Sequence, residues 1–287
     1  MKAIFVALSL LANAALAEET SGLDELTTRE ELRGFEPVGR IDIDNGGFCT
    51  GTLIAADLVL TAAHCVLERD GTPVDASRIT YRAGFSHGTA LAEVPVARTI
   101  ADPAYRNLDP APLEMIERDV ALLQLAQPIP SALISPFTVA RPGNGDEVSV
   151  VSYAEGREEA LSWQRVCKVI GRQDRLIAMD CDVTFGSSGA PVLDRSGYRA
   201  KIVSIISAGG DMDGTPASFG MELPALVERL KAALRKGDAL SVNTGDAGTT
   251  VGVAPSGMPG RPGKRITLGG STLGGGTTLG ADTAVSP

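Results

Sequence analysis

The sequence is poor in the residues that metal sites and nucleic-acid surfaces need. Among its 287 residues are two histidines and one tryptophan, and only 4% are aromatic. Without a C-x-x-C spacing, two histidines leave too few ligands for a zinc site. Basic residues number 26 against 35 acidic ones, a net charge of -9, which argues against nucleic acid as a partner. Cationic substrates fit that charge better.

Long apolar runs are also missing, with one short exception at the N-terminus. Lys2 precedes an apolar run at residues 3–11, and residues 15–17 (A-L-A) match an A-x-A cleavage site. The run is too short to span a bilayer, so a signal peptide at 1–17 is a better interpretation than a buried helix. The sequence therefore predicts a secreted or periplasmic protein with no transmembrane segment.

The four cysteines fit an oxidising compartment. They form two close pairs in the sequence, Cys49 with Cys65 and Cys167 with Cys181. Three connectivities are possible, of which local pairing is the simplest. Each local bridge would close a loop of about 15 residues and stabilise the fold by about 3 kcal/mol in the chain-entropy view.

The composition divides the chain into four segments. After the signal, residues 18–36 are polar and charged, as in a propeptide or a mobile arm. Residues 37–237 begin with short apolar runs broken by Gly, Pro, Asn and Asp, which predict an all-β barrel or sandwich. A helix then begins near Pro224, with leucines at helical spacing, and ends at Gly237. Residues 238–287 are rich in Gly, Thr and Ser and predict a disordered tail, as a linker rather than a sorting segment.

The segment G-S-S-G-A-P around Ser188 has the residues of a nucleophile turn. Its small residues permit a tight turn and a close approach of backbone to substrate. Such a turn aims the N–H groups of Gly186 and Ser188 at a developing oxyanion, although an ordinary Ser-Gly turn would look the same.

A serine nucleophile needs a base and a group that orients the base. His64 ends the segment T-A-A-H and is followed by Cys65, whereas His87 lies in a polar loop and is expected to be solvated. Asp119 precedes V-A-L-L, a run typical of a buried strand, where a carboxylate is costly unless it is paired. A surface aspartate at a strand start is the alternative. The three segments occur in the order His, Asp, Ser.

These segments resemble the chymotrypsin-like, or trypsin-fold, serine proteases, over about residues 47–220. F-C-T-G-T-L-I-A with L-V-L-T-A-A-H-C is similar to the family's first hairpin, R-D-V-A-L-L-Q-L to its aspartate strand, and G-S-S-G-A-P to its nucleophile loop. The resemblance implies an all-β fold of two six-stranded antiparallel β-barrels with a C-terminal helix, so that residues 37–237 form the protease domain. It also implies a Cys49–Cys65 bridge beside the catalytic histidine.

The resemblance is closest to the bacterial secreted branch that includes the V8-like glutamyl endopeptidases. Trypsin-type members have Asp just before the nucleophile, to pair with a freed N-terminus, and this chain has Ser187 there and no I-V-G-G start. The pocket-floor position, six residues before the nucleophile, is Asp182. The main-chain-binding segment, nineteen residues after it, is Ser207-Ala208-Gly209, in which Ser207 and Gly209 fit the pattern.

Asp182 has two interpretations. If it is buried, it favours Lys or Arg before the scissile bond through charge pairing; alternatively, it is a structural cap of the turn. Glutamyl specificity is disfavoured, because that branch uses a histidine in the pocket and neither histidine of this chain falls in the second barrel.

The sequence thus predicts a serine endopeptidase with a His64–Asp119–Ser188 triad. It acts on polypeptides as a monomer, without a metal or another cofactor and without nucleic acid. A catalytically inert binding module on the same fold is the rival. An esterase of the α/β-hydrolase type is disfavoured, because that fold orders its triad Ser, Asp, His.

Overall fold

The computed structural model describes residues 22–143 and 147–243, together with the backbone of residues 265–268, 270–273 and 277–280. The signal peptide predicted at 1–17 lies outside the described residues. The first strands are β1 (Leu23–Leu26), β2 (Val38–Ile43), β3 (Gly47–Ala55), β4 (Leu58–Thr61), β5 (Ile79–Ala83), β6 (Ala92–Ala101), β7 (Ala121–Leu125) and β8 (Thr138–Val139).

The later strands are β9 (Glu147–Ala154), β10 (Arg157–Gln173), β11 (Leu176–Met179), β12 (Pro191–Asp194), β13 (Lys201–Ile205), β14 (Ala208–Met212), β15 (Thr215–Met221), β16 (Ser241–Val242), β17 (Arg265–Leu268), β18 (Gly270–Leu273) and β19 (Thr277–Gly280). The helices are α1 (Leu113–Ile116) and α2 (Pro224–Lys236), with 3₁₀ turns at Ala63–Val66 and Ala76–Arg78. The prediction of an all-β chain with a C-terminal helix is confirmed.

Six antiparallel strands from the first half of the chain close into a barrel. β2, β3, β4, β7, β6 and β5 pair in that order, and β5 pairs back with β2. Gly51 of β3 has no room for a side chain, since a Cβ there would lie 2.5 Å from Ile41 and 2.8 Å from Val59. This barrel is one of the two six-stranded barrels that the sequence predicts.

The second sheet is larger than the predicted barrel and has ten strands. Its order is β17-β14-β15-β11-β10-β9-β12-β13-β8, and β1 pairs with β10. β13 and β14 lie at opposite ends of the antiparallel path, yet only Ile206 and Ser207 separate them in the chain. The sheet therefore curls round until its two ends meet through one bent strand. Two of its ten strands, β1 and β17, lie outside residues 47–220, over which the sequence resembles these proteases.

The helix α2 packs its apolar side against β6 and β7 of the first barrel. It begins at Pro224 and ends before Gly237, whose φ of 90° provides the left-handed cap. Its leucine stripe is a packing face: the residues Leu226, Val227, Leu230 and Leu234 are buried. No helix in the described ranges is long and apolar enough to cross a membrane.

The described part of the N-terminal arm, residues 22–36, is packed against the second sheet. β1 pairs antiparallel with β10, from Leu23 opposite Gln164 to Leu26 opposite Leu161. Leu26, Leu32 and Phe35 are buried, and the Phe35 ring lies 4.9 Å from that of Trp163 on β10. The interpretation of this part as a mobile arm is therefore corrected; residues 18–21 lie outside the described residues.

The C-terminal segment 238–287, predicted to be disordered, is described in part. Residues 238–243 continue from α2, and β16 pairs with β6. Further on, β17 pairs in parallel with β14, and β18 pairs with β19. The disorder predicted for residues 238–287 therefore does not hold for the described strands of this segment. The other residues of the tail lie outside the described residues.

Both disulfides join the local cysteine pairs. Cys49–Cys65 connects β3 to the 3₁₀ turn after β4, and Cys167–Cys181 connects β10 to the segment after β11. The described residues contain no free cysteine.

Removing the Phe35 ring should destabilise the whole domain, because Phe35 is 6% exposed and its ring lies 4.9 Å from that of Trp163. Burial of this kind predicts a loss of about 3–5 kcal/mol for Phe35→Ala in urea unfolding followed by circular dichroism. Leu133→Ala is the control, since Leu133 is 49% exposed and should cost little. Equal stability of the two variants would show that residues 22–36 are not part of the folded domain.

Candidate active site

His64 is held at the end of a buried strand. All four residues of β4 are buried, and the chain passes from them into the 3₁₀ turn that contains His64. The bridge from Cys65 to Cys49 ties the next residue to β3, with a Cα–Cα distance of 6.3 Å. The imidazole is 11% exposed, whereas His87, the other histidine, is exposed in a turn as predicted.

Asp119 is a fully buried carboxylate, with 0% exposure, between α1 and β7. Its Oδ1 accepts the backbone N–H of His64 at 2.9 Å. Its Oδ2 accepts a hydrogen bond from His64 Nδ1 at 2.7 Å and another from Ser207 Oγ at 2.5 Å. These donors offset the cost of burying the charge, so the alternative of a surface aspartate at a strand start is excluded.

The contact with Asp119 fixes the tautomer of His64. An ionised carboxylate only accepts hydrogen bonds, so Nδ1 carries a proton, and in the neutral imidazole the lone pair is then on Nε2. Nε2 is buried and makes no hydrogen bond to any described residue. In the neutral form, the basic nitrogen of the imidazole is therefore not engaged by any described residue, as a general base requires.

Tyr105 is a further neighbour of Asp119 that no sequence motif indicates. Its side chain is 4% exposed. Burial, then the charge of Asp119 and a hydrogen bond to that carboxylate, raise the pKa of Tyr105 far above its usual range. The phenol therefore stays protonated and acts as a donor near the carboxylate.

Ser188 lies in a turn between two glycines, each of which has a backbone conformation that favours glycine. Gly186 has a φ of 90° and Gly189 a φ of 79°, both in the left-handed region. A Cβ at Gly189 would lie 2.2 Å from Thr61 Oγ1 and 2.3 Å from the carbonyl oxygen of Thr50. The second glycine thus allows the turn to press against the backbone of the first barrel.

The turn leaves two N–H groups available for an oxyanion. Across the described residues, the N–H groups of Gly186 and Ser188 donate no hydrogen bond to a backbone carbonyl. The residue between them is engaged, since Ser187 N donates to Thr184 O at 3.0 Å. Glu155 N donates to Phe185 O at 2.7 Å, which holds that carbonyl in place. Two N–H groups of one turn without a backbone acceptor are what an oxyanion hole requires.

Ser187, where trypsin-type members have Asp, is buried and uncharged. Its exposure is 0%, and its Oγ donates to Ser152 Oγ at 3.2 Å. Two hydroxyl groups can satisfy each other without a charged partner, so the turn holds its shape without an N-terminal ammonium group.

The nucleophile turn and the histidine segment lie next to each other across the two sheets. Ser188 O accepts the N–H of Thr50 at 2.9 Å and lies 4.0 Å from Cys65 Sγ. Ser188 is 7% exposed. A hydrogen bond between Ser188 Oγ and His64 Nε2 is not formed in this structure, and in the absence of substrate such bonds are often long.

A cavity of ≈ 270 Å³ opens beside Ser188. Ser207 and Gly209, which are predicted to bind the substrate main chain, line it, and the hydroxyl of Ser207 also reaches Asp119. Asp182 lines it too, but Asp182 is exposed rather than buried, and its N–H is held by Gln164 Oε1 at 2.7 Å. Its charge is therefore at a solvated edge of the cavity, because the Cys181 bridge and Gln164 fix the backbone and leave the side chain in water.

Among the described residues, one group of side chains has the composition of a metal site, but its atoms are not able to act as metal ligands. Cys49, His64 and Cys65 have ligand atoms within 4.8 Å of one another. The two sulfurs are bonded to each other, so neither is a thiolate ligand, and His64 is engaged by Asp119.

A barrel and a curled sheet that bring a His–Asp pair against a serine turn define a trypsin-like serine peptidase. The family model for the trypsin-like peptidase domain matches residues 49–198, and this chain belongs to that family. The sequence resemblance to these proteases is thereby confirmed.

Individual relatives are more distant. Serine protease 23 of Rattus norvegicus is 29% identical over 204 residues, 60% of this chain and 52% of that protein. Serine protease 56 of Homo sapiens is 36% identical over 103 residues, 36% of this chain and 15% of that protein. The chain spans about half, or less, of the length of these curated relatives.

The fold is also found in the solved structure of Glu endopeptidase in complex with MPD. The two share a TM-score of 0.62 at 21% sequence identity, over 74% of this chain and 96% of that chain. At this identity the likeness shows the fold alone.

Gly189→Ala should cost far more stability than Gly156→Ala, although both glycines have nearly the same φ, 79° and 78°. A Cβ at Gly156 meets nothing within 4 Å, so its cost is the left-handed conformation alone, about 1–2 kcal/mol. At Gly189 the clash with backbone adds about 1–3 kcal/mol. Urea unfolding of both variants measures this difference, and equal losses would contradict the close approach of the turn to the first barrel.

Proposed function

We propose that this protein is a serine endopeptidase that cleaves polypeptides outside the cytoplasm through Ser188, His64 and Asp119. The observation that carries the proposal is the Asp119–His64 contact of 2.7 Å, made by a carboxylate that is otherwise fully buried. Such a contact orients the imidazole of a general base, and the turn of Ser188 lies beside the histidine segment, with Ser188 O 4.0 Å from Cys65 Sγ.

In the proposed mechanism, Ser188 Oγ attacks the scissile carbonyl while His64 Nε2 takes its proton. The part of the substrate that carries the scissile carbonyl becomes bonded to Ser188 Oγ as an acyl-enzyme. His64 gives its proton to the nitrogen of the other part, which leaves as an amine. Water, deprotonated by the same nitrogen, then attacks the acyl carbon, and His64 returns this proton to Ser188 Oγ as the acyl group leaves. Asp119 stabilises the imidazolium that forms in each half-reaction and does not itself take the proton.

The negative charge on the carbonyl oxygen would be held by the N–H groups of Gly186 and Ser188. A single donor in such a hole contributes about 3–4 kcal/mol to transition-state stabilisation. Both donors are fixed by the turn before the substrate binds, so little reorganisation is needed during the reaction.

A preference for Lys or Arg before the scissile bond is part of the proposal. Among the described residues that line the cavity beside Ser188, Asp182 is the one ionisable side chain. The related fold of a Glu endopeptidase raises the alternative of Glu specificity. A glutamate side chain would meet no cation among those residues and would be repelled by Asp182, so the cavity supports a cationic residue.

Secretion and a monomeric state complete the proposal. The predicted signal at 1–17 and two disulfides are typical of proteins exported to an oxidising compartment. The triad, the turn and the cavity are all contributed by one chain, so no second copy is needed to complete the site.

Ser188→Ala should remove nearly all peptide hydrolysis and leave folding intact, because it deletes one oxygen at the position of attack. Turnover of a fluorogenic peptide and the thermal melting of both proteins measure this. Labelling by an organophosphonate separates an enzyme from an inert binding module: the wild-type protein should be labelled at Ser188, and the variant should not. Unlabelled, inactive wild-type protein would favour the binding module.

Asp182→Asn should lower kcat/KM for substrates with Lys or Arg before the scissile bond by at most about fivefold. The effect is small because the carboxylate is exposed, and exposed ion pairs contribute about 0.2–1 kcal/mol. Substrates with Ala there should be unaffected. Asp213→Asn is the matched control, since Asp213 is an exposed acid in the β14–β15 turn that does not line the cavity. Preferred cleavage after Glu by the wild-type protein would reject the cationic preference.

A further inference from the structure

Thr50 of the first barrel reaches across to both ends of the Ser188 turn. It lies on β3 and is 0% exposed. Its backbone N–H donates to Ser188 O at 2.9 Å. Its hydroxyl donates to Gly186 O, also at 2.9 Å. One residue thus holds the carbonyl groups of the same two residues whose N–H groups form the oxyanion hole.

The hydroxyl of Thr50 is used in both directions. It accepts the N–H of Tyr153 at 3.0 Å, and Tyr153 lies on β9, near the turn. Tyr153 O is a second, longer acceptor at 3.3 Å, so the proton is directed mainly at Gly186 O. A buried hydroxyl with a donor and an acceptor in place is rigid, and removing it leaves both partners unsatisfied.

Thr50 is also linked to the histidine side of the site. Its own carbonyl accepts a hydrogen bond from Thr61 Oγ1 at 2.9 Å. Thr61 ends β4, three residues before His64. Contacts of a single residue therefore connect the segment that carries the base with the turn that carries the nucleophile.

Gly186 is the part of the turn that most needs such a contact. With a φ of 90° and no Cβ, it rotates more freely than any other residue would. The peptide before it is fixed by the bond from Glu155 N to Phe185 O. The next peptide, which carries Gly186 O, is held by the Thr50 hydroxyl, so Gly186 lies between two peptides that are both fixed.

We propose that Thr50 is a positioning residue that fixes the oxyanion hole from the opposite barrel. The inference rests on the proposed function of Ser188 as the nucleophile. Thr50 touches no reacting atom, so its role is to keep the Gly186 and Ser188 N–H groups aimed at the developing oxyanion. It should therefore stabilise the transition state and leave substrate binding and the titration of the base unaltered.

Thr50→Val tests this directly, because valine keeps the shape and removes the hydroxyl. Complete loss of one N–H donor from an oxyanion hole lowers kcat by about 10²–10³. The Thr50→Val variant keeps both donors but positions them less well, so its kcat should fall by about tenfold to a hundredfold. KM and the pH dependence of kcat should stay as in the wild type. Inhibition by a peptide boronic acid, whose tetrahedral adduct fills the hole, should weaken in parallel with kcat/KM. Thr50→Ser, which keeps the hydroxyl, should restore most of the activity.

Thr52→Val is the matched control. Thr52 lies two residues further along β3, is also 0% exposed, and its Oγ1 has no hydrogen-bond partner among the described residues. The same change of side chain there should leave kcat and inhibition by the boronic acid unchanged. If Thr50→Val does not fold, Thr50→Ala replaces it, since the smaller side chain leaves room for water beside Gly186 O and Tyr153 N.

The possible outcomes separate the two proposals. A wild-type protein that hydrolyses peptides through Ser188, together with a Thr50→Val variant as active as Thr52→Val, would overturn the positioning role alone. A fall in activity that Thr50→Ser does not restore, or that appears wholly in KM, would also overturn it. Wild-type protein without Ser188-dependent hydrolysis would reject the proposed function itself.

Discussion

The arrangement of the site depends on the burial of one carboxylate. An ionised Asp119 with no solvent contact would cost several kcal/mol if it were unpaired. Its partners come from different parts of the fold: His64 follows β4 in the first barrel, and Ser207 lies in the bent strand of the second sheet. The charge is therefore tolerated only when the two sheets are packed together, and the same packing orients the imidazole. Stability and chemical competence are thus set by the same contacts.

The junction between the sheets also shapes the nucleophile turn. Gly189 is pressed against Thr61 and the backbone of Thr50, and the carbonyl of Ser188 is held by the N–H of Thr50. The turn belongs to the second sheet by sequence, but part of its conformation is imposed by the first barrel. A site made in this way lies in the cleft because neither half holds the serine and the histidine in place alone.

Much of this could be predicted from the sequence, and the rest has identifiable physical reasons. His64, Asp119 and Ser188 are recognisable because their flanking residues are dictated locally, by a buried strand, a bridge or a tight turn. The packing of residues 22–36 cannot be recognised in the same way. The buried residues Leu26, Leu32 and Phe35 follow neither a helical nor a strand spacing, and their burial depends on a strand that is distant in the sequence. Similarly, the exposure of Asp182 and the contact of Tyr105 with Asp119 arise from long-range packing that no local pattern encodes.

Ser187 has a consequence for how the turn is maintained. In the described residues, two carboxylates are buried, Asp102 and Asp119, and each already has a partner: Asp102 contacts Arg229 at 3.1 Å, and Asp119 contacts His64. A new N-terminal ammonium group would find no buried, unpaired carboxylate beside the turn, where the Ser187–Ser152 pair is neutral. The arm is meanwhile part of the second sheet through β1. Cutting it away would remove this packing, whereas in the uncut chain the neutral Ser187–Ser152 pair already holds the turn.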